Sequence, residues 1–238
     1  MTLSDRIEAA GASLAAIAQD HAPAVLASSF GAEDMVLVDL IARNALPIGI
    51  FTLDTGRLPE PTLALIDRVR DKYVLPIDVT SPDAARLEPF VRTHGVNAFY
   101  GSVDLRKACC AIRKTEPLAR ALAGKSAWIT GLRREQSITR SDVPYEEFDA
   151  QHGLPKFNPL IDWTEGDVWD YIRQRDVPYN ALHDQGYRSI GCAPCTRAVA
   201  PGEDVRAGRW WWESPEHKEC GLHRRPLNLK RSTAEVIS

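Results

Sequence analysis

Hydrophobic and polar positions follow two different periods along this chain, and the periods predict alternating helices and strands. Apolar side chains recur every three to four residues from Leu3 to Ile17 and predict a helix over 3–20. Buried strands that alternate with helices are typical of a doubly wound, mostly parallel α/β sheet. Short continuous apolar runs predict the strands at 24–29, 48–53, 76–80 and 127–131. Helical periodicity between these runs predicts helices at 33–43, 59–73, 82–95 and 104–123.

The pattern weakens after Gly131, where one further helix is predicted. Thr164 and Asp167 have the spacing of a capping box, which predicts a helix that runs to about Arg175. From Pro201 onward the chain has little periodicity and is rich in Gly, Trp, Arg and His. We therefore expect a nucleotide-binding α/β domain at 1–202 and a mobile C-terminal arm at 203–238.

The composition is that of one packed globular domain and excludes several other classes. The chain has 238 residues, of which 44% are hydrophobic and 26% charged, so a disordered or collagen-like chain is excluded. Its apolar runs are far shorter than the ~20 residues that a membrane span needs, and no secretory signal precedes the first helix. The formal net charge of −3 argues against a general nucleic-acid binder. We expect a cytoplasmic protein that binds neither membranes nor nucleic acid.

Positive charge is concentrated in one segment of this acidic chain. Residues 104–140 contain nine Lys or Arg and only three acidic residues. Loops at three predicted strand ends, 28–34, 53–57 and 131–140, offer hydroxyls, glycines and arginines at the edge where parallel sheets bind ligands. Each loop alone is equally explained as an ordinary turn or a solvated face, but three together indicate a site for a phosphate-bearing ligand. The candidate binding residues are Ser28, Ser29, Gly31, Glu33, Asp34, Leu53, Asp54, Thr55, Gly56, Gly131, Arg133, Arg134 and Arg140.

Five cysteines form the most specific pattern in the sequence. Cys109 and Cys110 are adjacent, Cys192 and Cys195 form a C-x-x-C, and Cys220 stands alone. Adjacent side chains on a regular helix diverge by roughly 100°, which suits separate irons of a polynuclear cluster better than a single zinc ion. Four cysteines nevertheless fit both metals. The alternative is that Cys109 and Cys110 are small buried residues and only the C-x-x-C is redox-active.

Cys220 differs from the other four cysteines in its surroundings. It follows Lys218 and precedes His223 and two arginines, on the predicted arm. Neighbouring cations favour the thiolate, and an arm gives partners access to it. These features are typical of a nucleophile rather than a metal ligand.

Together these residues resemble the adenylyl-sulfate and phosphoadenylyl-sulfate reductase family of assimilatory sulfate reduction. The double cysteine, the C-x-x-C and the later Glu-Cys-Gly-Leu-His are the most specific matches. The resemblance implies an adenine-nucleotide α-hydrolase-like fold related to PP-loop enzymes, and a homo-oligomer is expected. It also implies a [4Fe–4S] cluster held by Cys109, Cys110, Cys192 and Cys195. The matching segments are Ser28–Asp34, Leu53–Gly56, Cys109–Lys114, Gly131–Arg140, Asp162–Ile172, Gly191–Cys195, Gly208–Trp211 and Glu219–His223.

The resemblance further implies an activity, which is the reduction of adenosine 5′-phosphosulfate (APS) to sulfite and AMP. Cys220 would attack the sulfur and form an S-sulfocysteine, which thioredoxin or a glutaredoxin-like protein would reduce. The loop with Arg133, Arg134 and Arg140 would close over the nucleotide phosphate. The residues expected near the sulfo group are Lys114, Arg206, Arg209 and His223.

Two other groups of function stay open at this point. The four cluster cysteines are typical of the APS branch, but 3′-phospho-APS (PAPS) or both nucleotides remain alternatives. A PP-loop sulfur-transfer enzyme that uses ATP, or an iron–sulfur redox sensor, is the second alternative. The stretch Ser28–Asp34 lacks the second glycine and the final hydroxyl of ATP-using PP-loops, which counts against the ATP-using sulfur-transfer enzyme.

Overall fold

The computed structural model describes residues 1–136 and 142–214. The main helices are α1 (Leu3–Asp20), α2 (Ala32–Arg43), α3 (Glu60–Tyr73), α4 (Ala84–His94), α5 (Val103–Cys110), α6 (Glu116–Leu122) and α7 (Glu165–Arg175). The strands are β1 (Ala24–Ala27), β2 (Gly49–Leu53), β3 (Ile77–Thr80), β4 (Ala127–Ile129), β5 (Glu146–Asp149) and β6 (Leu154–Phe157).

The strands form one six-stranded sheet in the order β3-β2-β1-β4-β6-β5. Every neighbouring pair is parallel except β5 with β6, so the predicted doubly wound, mostly parallel sheet is confirmed. The chain moves outward from β1 to β2 and β3, and then returns to place β4 on the other side of β1. This reversal between β1 and β4 opens a crevice at the carboxyl ends of the strands.

Two hydrophobic cores cover the two faces of this sheet. Leu26 of β1 points into the larger core, which includes α1, α2 and α7. Val25, the preceding residue, points to the opposite face and packs with Leu118 and Leu122 of α6. Successive side chains of a strand alternate between faces, so continuous apolar runs are buried on both sides. The sheet is therefore a rigid support for the loops at its edge.

Three local features differ from the sequence prediction. The single helix predicted at 104–123 is interrupted by a π-helical segment, Ala111–Thr115, which separates α5 from α6. The helix predicted after Ser81 is capped instead by Asp83, whose carboxylate accepts the backbone N–H of Ala85. The sequence does not predict the β5–β6 hairpin, because each strand has only four residues and three of the four in β5 are acidic.

The first part of the predicted arm is packed against the α/β unit. Trp210 is almost completely buried, and residues Thr196 and Arg209 form an antiparallel bridge. The segment 203–214 lacks helical or strand periodicity because its aromatic and arginine side chains pack in irregular turns. The part of the predicted arm that the structure describes, residues 203–214, thus contacts the α/β unit, and residues 215–238 lie outside the described residues. No helix in the described ranges is both long and apolar enough to cross a membrane.

Candidate active site

A cavity of about 550 Å³ lies at the carboxyl ends of β1, β2 and β4. We call it the nucleotide pocket, after the ligand that the sequence predicts. The loops after these strands form one side of it, and residues 187–192 with the segment 205–210 form the other side. Of the residues predicted from the sequence, it is lined by Ser28, Ser29, Gly31, Glu33, Asp34, Leu53, Thr55, Gly131, Arg133, Lys114, Arg206 and Arg209.

The loop after β1 is held in place by a buried carboxylate. Asp34 accepts hydrogen bonds from the backbone N–H of Ser29 at 2.6 Å and from its hydroxyl at 2.7 Å. Burial raises the pKa of Asp34 to about 6, against the effect of these hydrogen bonds. Gly31 is the N-cap of α2 and supplies no side-chain acceptor, so the first turn of α2 presents backbone N–H groups at the pocket.

The loop after β2 connects the nucleotide pocket to the cysteines. The carbonyl oxygen of Thr55 accepts a hydrogen bond from Arg113 at 2.6 Å, and its hydroxyl accepts one from the Cys192 thiol at 3.3 Å. Asp54 accepts the backbone N–H of Gly56 at 2.8 Å, and Gly56 has a left-handed φ of 66°. Among the described residues, Asp54 and Gly56 shape this turn and do not line the nucleotide pocket.

The arginines after β4 are engaged by carboxylates. Arg133 is buried and pairs with Glu33 at 2.8 Å and with Glu135 at 2.9 Å, so it joins the β1 loop to the β4 loop. Arg134 pairs with Asp162 and lies outside the lining of the pocket. The sequence could not show the pairing with Glu33 or Asp162, because these two carboxylates are distant along the chain from their arginines. Arg140 lies outside the described residues.

Four of the five cysteines surround a second, smaller pocket beside the first, which we call the cysteine pocket. Cys109 and Cys110 end α5, and the chain passes into the π-helical segment immediately after them. On the opposite side, Cys192 is the N-cap of a short 3₁₀ turn, Ala193–Cys195, and Cys195 is its last residue. The fold thus brings together two pairs of cysteines that are far apart along the chain. The remaining lining residues are Arg57, Phe99, Arg106, Arg113, Lys114 and Trp210.

The cations around the cysteine pocket affect its thiols unequally. Burial opposes ionisation of Cys192, but Lys114 and the Thr55 hydroxyl, with two arginines, hold its pKa below the ordinary value. Burial, together with the charge of Cys192, raises the pKa of Cys195 to about 12. Burial also raises the pKa of Cys109. Of these three thiols, Cys192 is therefore the one whose surroundings favour the thiolate.

The arrangement of the four cysteines is compatible with a polynuclear cluster. Within residues 1–136 and 142–214, no three His, Cys, Asp or Glu side chains converge as ligands of one metal ion. The four cysteines instead line one shared pocket from two sides. Thiolates that each bind a different iron need to surround a volume rather than a point. Cys109, Cys110, Cys192 and Cys195 therefore suit an iron–sulfur cluster.

Lys114 and Arg209 lie where the two pockets meet. Lys114 comes from the π-helical segment and lines both pockets, as do Cys192 and Trp210. Arg209 donates to the carbonyl oxygen of Ile190 at 3.3 Å, and its guanidinium occupies the space that a side chain at position 191 would fill. Glycine at position 191 is thus required for this close approach. Cys220 and His223 lie outside the described residues.

The fold and these two pockets agree with the comparison to protein families. The family model described as the phosphoadenosine phosphosulfate reductase domain matches residues 23–198, which is most of the chain. The chain belongs to the phosphoadenosine phosphosulfate reductase family. The expected resemblance is confirmed by this match.

Relatives within the reductase family align along almost the full chain. A protein of Allochromatium vinosum named adenosine 5′-phosphosulfate reductase is 56% identical over 98% of this chain and 91% of its own length. One of the same name from Burkholderia cepacia is 56% identical over 93% of this chain and 88% of its own.

Solved structures place the same fold in two kinds of protein. A phosphoadenylyl-sulfate (PAPS) reductase from Candida auris has a TM-score of 0.69 and 26% identity, covering 83% of this chain and 96% of that chain. An FMN adenylyltransferase from Candida glabrata has a TM-score of 0.56 and 14% identity, covering 84% of this chain and 68% of that one, and shares the fold alone.

The reductase pocket includes an aromatic wall that sequence reasoning missed. Trp169 of α7 contacts Tyr179 and His183 edge to face, with ring centroids 5.3 and 5.1 Å apart. All three side chains line the nucleotide pocket. Burial lowers the pKa of His183 and so favours its neutral imidazole. The only signal in the sequence was a high density of aromatic residues after Thr164, which has no characteristic spacing.

Proposed function

We propose that this protein reduces adenosine 5′-phosphosulfate to sulfite and AMP. The observation that carries the proposal is that the nucleotide pocket and the cysteine pocket share Lys114, Cys192 and Trp210. A bound nucleotide can thus present its sulfo group beside a cationic, thiol-rich wall. The curated relatives named adenosine 5′-phosphosulfate reductase, at 56% identity over nearly all of the chain, support the same substrate.

The proposed first step is a nucleophilic attack by Cys220. Its thiolate forms an S–S bond to the sulfur of APS while the bond from that sulfur to the phosphate oxygen breaks. AMP leaves with that oxygen and its electron pair, and the protein keeps an S-sulfocysteine. Nucleophile and substrate are both anionic, so cations have to offset their repulsion. Lys114, Arg206 and Arg209 line the pocket and supply positive charge there.

The second step returns the protein to its starting state. A thiolate of reduced thioredoxin, or of a glutaredoxin-like protein, attacks the Cys220 sulfur and releases sulfite. Its second thiol then resolves the mixed disulfide, so the dithiol is oxidised and Cys220 is regenerated as thiolate. Overall, the dithiol transfers two electrons to the sulfo group. Such a reductant and five reduced cysteines suit the cytoplasm.

We assign the [4Fe–4S] cluster to Cys109, Cys110, Cys192 and Cys195. When bound, the cluster would supply charge at a fixed position next to Lys114 and the sulfo end of the nucleotide pocket. Since the dithiol provides both electrons, the protein residues need only hold this group and the surrounding cations in place. The chain's own cations, chiefly Lys114, then act on the substrate from a fixed position.

The test is a mass measurement on the intact protein with APS and without a reductant. The expected result is one sulfo adduct, mapped to Cys220, with one equivalent of AMP released. Cys220→Ser should bind AMP normally and form no adduct, because an alcohol does not replace the thiolate. An adduct on Cys192 or Cys195, or no adduct and no AMP, would refute the proposal.

PAPS is the second candidate substrate. It is favoured by the structural likeness to the PAPS reductase from Candida auris at 26% identity. The higher identity to proteins named for APS makes the unphosphorylated nucleotide our first choice. The two nucleotides differ by one 3′-phosphate, so a direct comparison of their turnover decides between them.

A further inference from the structure

A buried ion pair joins the cysteine helix α5 to the last residues that the structure describes. Arg106 donates from Nε and Nη2 to the two carboxylate oxygens of Glu213, at 3.0 and 2.7 Å. The side chains of the two residues are 0% and 3% exposed. Burying two charges is costly, and paired geometry of this kind is needed to offset that cost. The pair therefore fixes Glu213 in one position.

Arg106 has two further contacts that link this pair to the cysteine pocket. Its guanidinium lies over the ring of Trp210, with Cζ 4.8 Å from the ring centroid. It also interacts with the Cys110 sulfur by hydrogen bonding and by charge. One side chain thus contacts a proposed cluster ligand, a wall of the cysteine pocket and the acidic residue at the start of the C-terminal tail.

The segment Trp210–Glu213 is held by two further contacts. The backbone N–H of Trp210 donates to the carbonyl oxygen of Cys195 at 3.1 Å. Trp212 packs against Tyr100 with ring centroids 4.5 Å apart. The pair with Arg106 is thus the connection to α5, whereas the backbone bond connects the same segment to the C-x-x-C loop.

We propose that Arg106 and Glu213 are positioning residues that seat the segment Trp210–Glu213 on the cysteine pocket and so fix the point from which the Cys220 tail starts. This inference rests on the proposed role of Cys220 as nucleophile. Cys220 follows Glu213 by seven residues, so an anchored Glu213 keeps its thiol within about 25 Å of the pocket wall. Arg106 acts through this placement and does not contact the substrate.

The expected effect follows from the length of the tether. If the segment Trp210–Glu213 detaches, the last fixed residue is Arg209, and the tether to Cys220 lengthens from seven to 11 residues. The effective concentration of a tethered group falls roughly as the −3/2 power of length, which gives a loss of about twofold. Only the step in which Cys220 has to reach the nucleotide should slow. The attack of the reductant on an S-sulfocysteine already formed needs no such approach.

The experiment compares Glu213→Ala with wild type as cluster-loaded, full-length protein. In a single turnover with saturating APS and no reductant, AMP release should slow about twofold. Sulfite release from the S-sulfo form by reduced thioredoxin should be unchanged, and hydrogen exchange of residues 210–213 should accelerate. Glu213→Gln, which preserves the shape of the side chain, should give a smaller effect in the same direction. Iron content and the unfolding temperature serve as measures of an intact fold.

The matched control is Glu203→Gln, which removes the charge from an exposed pair in the same part of the chain. Arg197 and Glu203 are 3.2 Å apart and about two-fifths exposed, so this variant should leave both rates and the hydrogen exchange unchanged. Wild-type rates and exchange in folded Glu213→Ala and Glu213→Gln would overturn the inference, as would equal slowing of both steps. Absence of AMP release in wild type would instead refute the proposed function. The hydrogen exchange of the Glu213 variants would then decide whether the Arg106–Glu213 pair anchors the segment.

Discussion

At the scale of single residues, glycines and buried charges determine how closely the pocket loops approach one another. A Cβ atom at Gly131 would lie 2.5 Å from Oδ1 of Asp34 and 2.9 Å from Cβ of Glu33. The loop after β4 therefore reaches the loop after β1 only because position 131 has no side chain. The sequence marked Gly131 as part of a turn, but the contact that requires glycine is visible only in three dimensions.

Gly131→Ala should weaken nucleotide binding at least tenfold while the protein still folds. The added methyl group has to push Asp34 and Glu33 away from it, and both line the nucleotide pocket. Calorimetry with AMP measures this effect. Gly11→Ala is the control, because a Cβ there has no neighbour closer than 4.0 Å. Equal affinities for both variants would contradict the explanation.

Asp34 should make stability depend on pH in an unusual direction. Burial raises its pKa to about 6, so between about pH 4 and 6 the folded state retains a proton that the unfolded state releases. The free energy of unfolding should therefore fall as the pH rises through this window. Asp34→Asn removes this contribution. The free energy of unfolding of the variant, minus that of wild type, should therefore rise by about 1 kcal/mol between pH 5 and pH 7.5.

Anaerobic urea unfolding at pH 5 and 7.5 measures that change. Asp54→Asn, in the turn after β2, is the matched control. A difference between Asp34→Asn and wild type that is the same at both pH values would show that Asp34 ionises as an ordinary carboxyl group.

At the scale of secondary structure elements, one buried carboxylate joins three helices that pack in the larger core. Asp39 of α2 accepts hydrogen bonds from Tyr73 of α3 and Tyr171 of α7, each at 2.7 Å, and from Arg43 at 2.7 Å. Asp39 and Tyr171 are almost completely buried. The network orients α7, which carries Trp169 into the nucleotide pocket. Polar residues at these spacings gave no signal in the sequence.

Tyr171→Phe should lower the free energy of unfolding by about 1.5–3 kcal/mol, since a hydrogen bond to a buried charge is lost. Denaturant unfolding measures this effect. Tyr179→Phe is the control, because its hydroxyl contacts the exposed carboxylate of Asp184. If the two variants lose the same stability, the Asp39 network is not what holds α7.

The elements themselves were largely predictable from sequence. Four strands and the helices between them produce strong apolar periodicity, which reflects burial on both faces of the sheet. The β5–β6 hairpin and the packed segment 203–214 were missed because they are held by tertiary contacts, such as those of Trp210, and not by periodic patterns. The break at Ala111–Thr115 was not predicted either. The adjacent cysteines indicated only that their side chains would diverge on a regular helix.

The same distinction applies to the candidate site. Loops at strand ends are predictable because chain order fixes which edge of the sheet they reach. The partners of an arginine are not, since Glu33 and Asp162 are distant in sequence from Arg133 and Arg134. Sequence alone therefore located the pocket but could not separate residues that face a ligand from residues that support the loops.

At the scale of the whole molecule, two pockets built from distant parts of the chain share one wall. Residues 27–136 supply the strand-end loops and α5, and residues 187–210 close both pockets. Cys109 and Cys110 meet Cys192 and Cys195 only because the chain returns across the sheet. This arrangement places a proposed cluster and a proposed nucleotide site side by side.

Anaerobically purified protein should contain about four irons per chain, since this cysteine set fits a cluster with one thiolate per iron. Replacement of Cys109, Cys110, Cys192 or Cys195 by Ser should each abolish iron binding, and Cys220→Ser should retain it. Iron and sulfide analysis with visible absorption measures this difference. Stoichiometric zinc in a fully active, colourless protein would contradict the assignment.

The most direct test of the account is the turnover of APS and PAPS by the purified, cluster-loaded protein with reduced thioredoxin. Sulfite and AMP should form from APS, with a kcat/KM at least tenfold above that for PAPS. That ratio corresponds to about 1.4 kcal/mol in transition-state binding. A preference for PAPS, or no sulfite from either nucleotide, would contradict it.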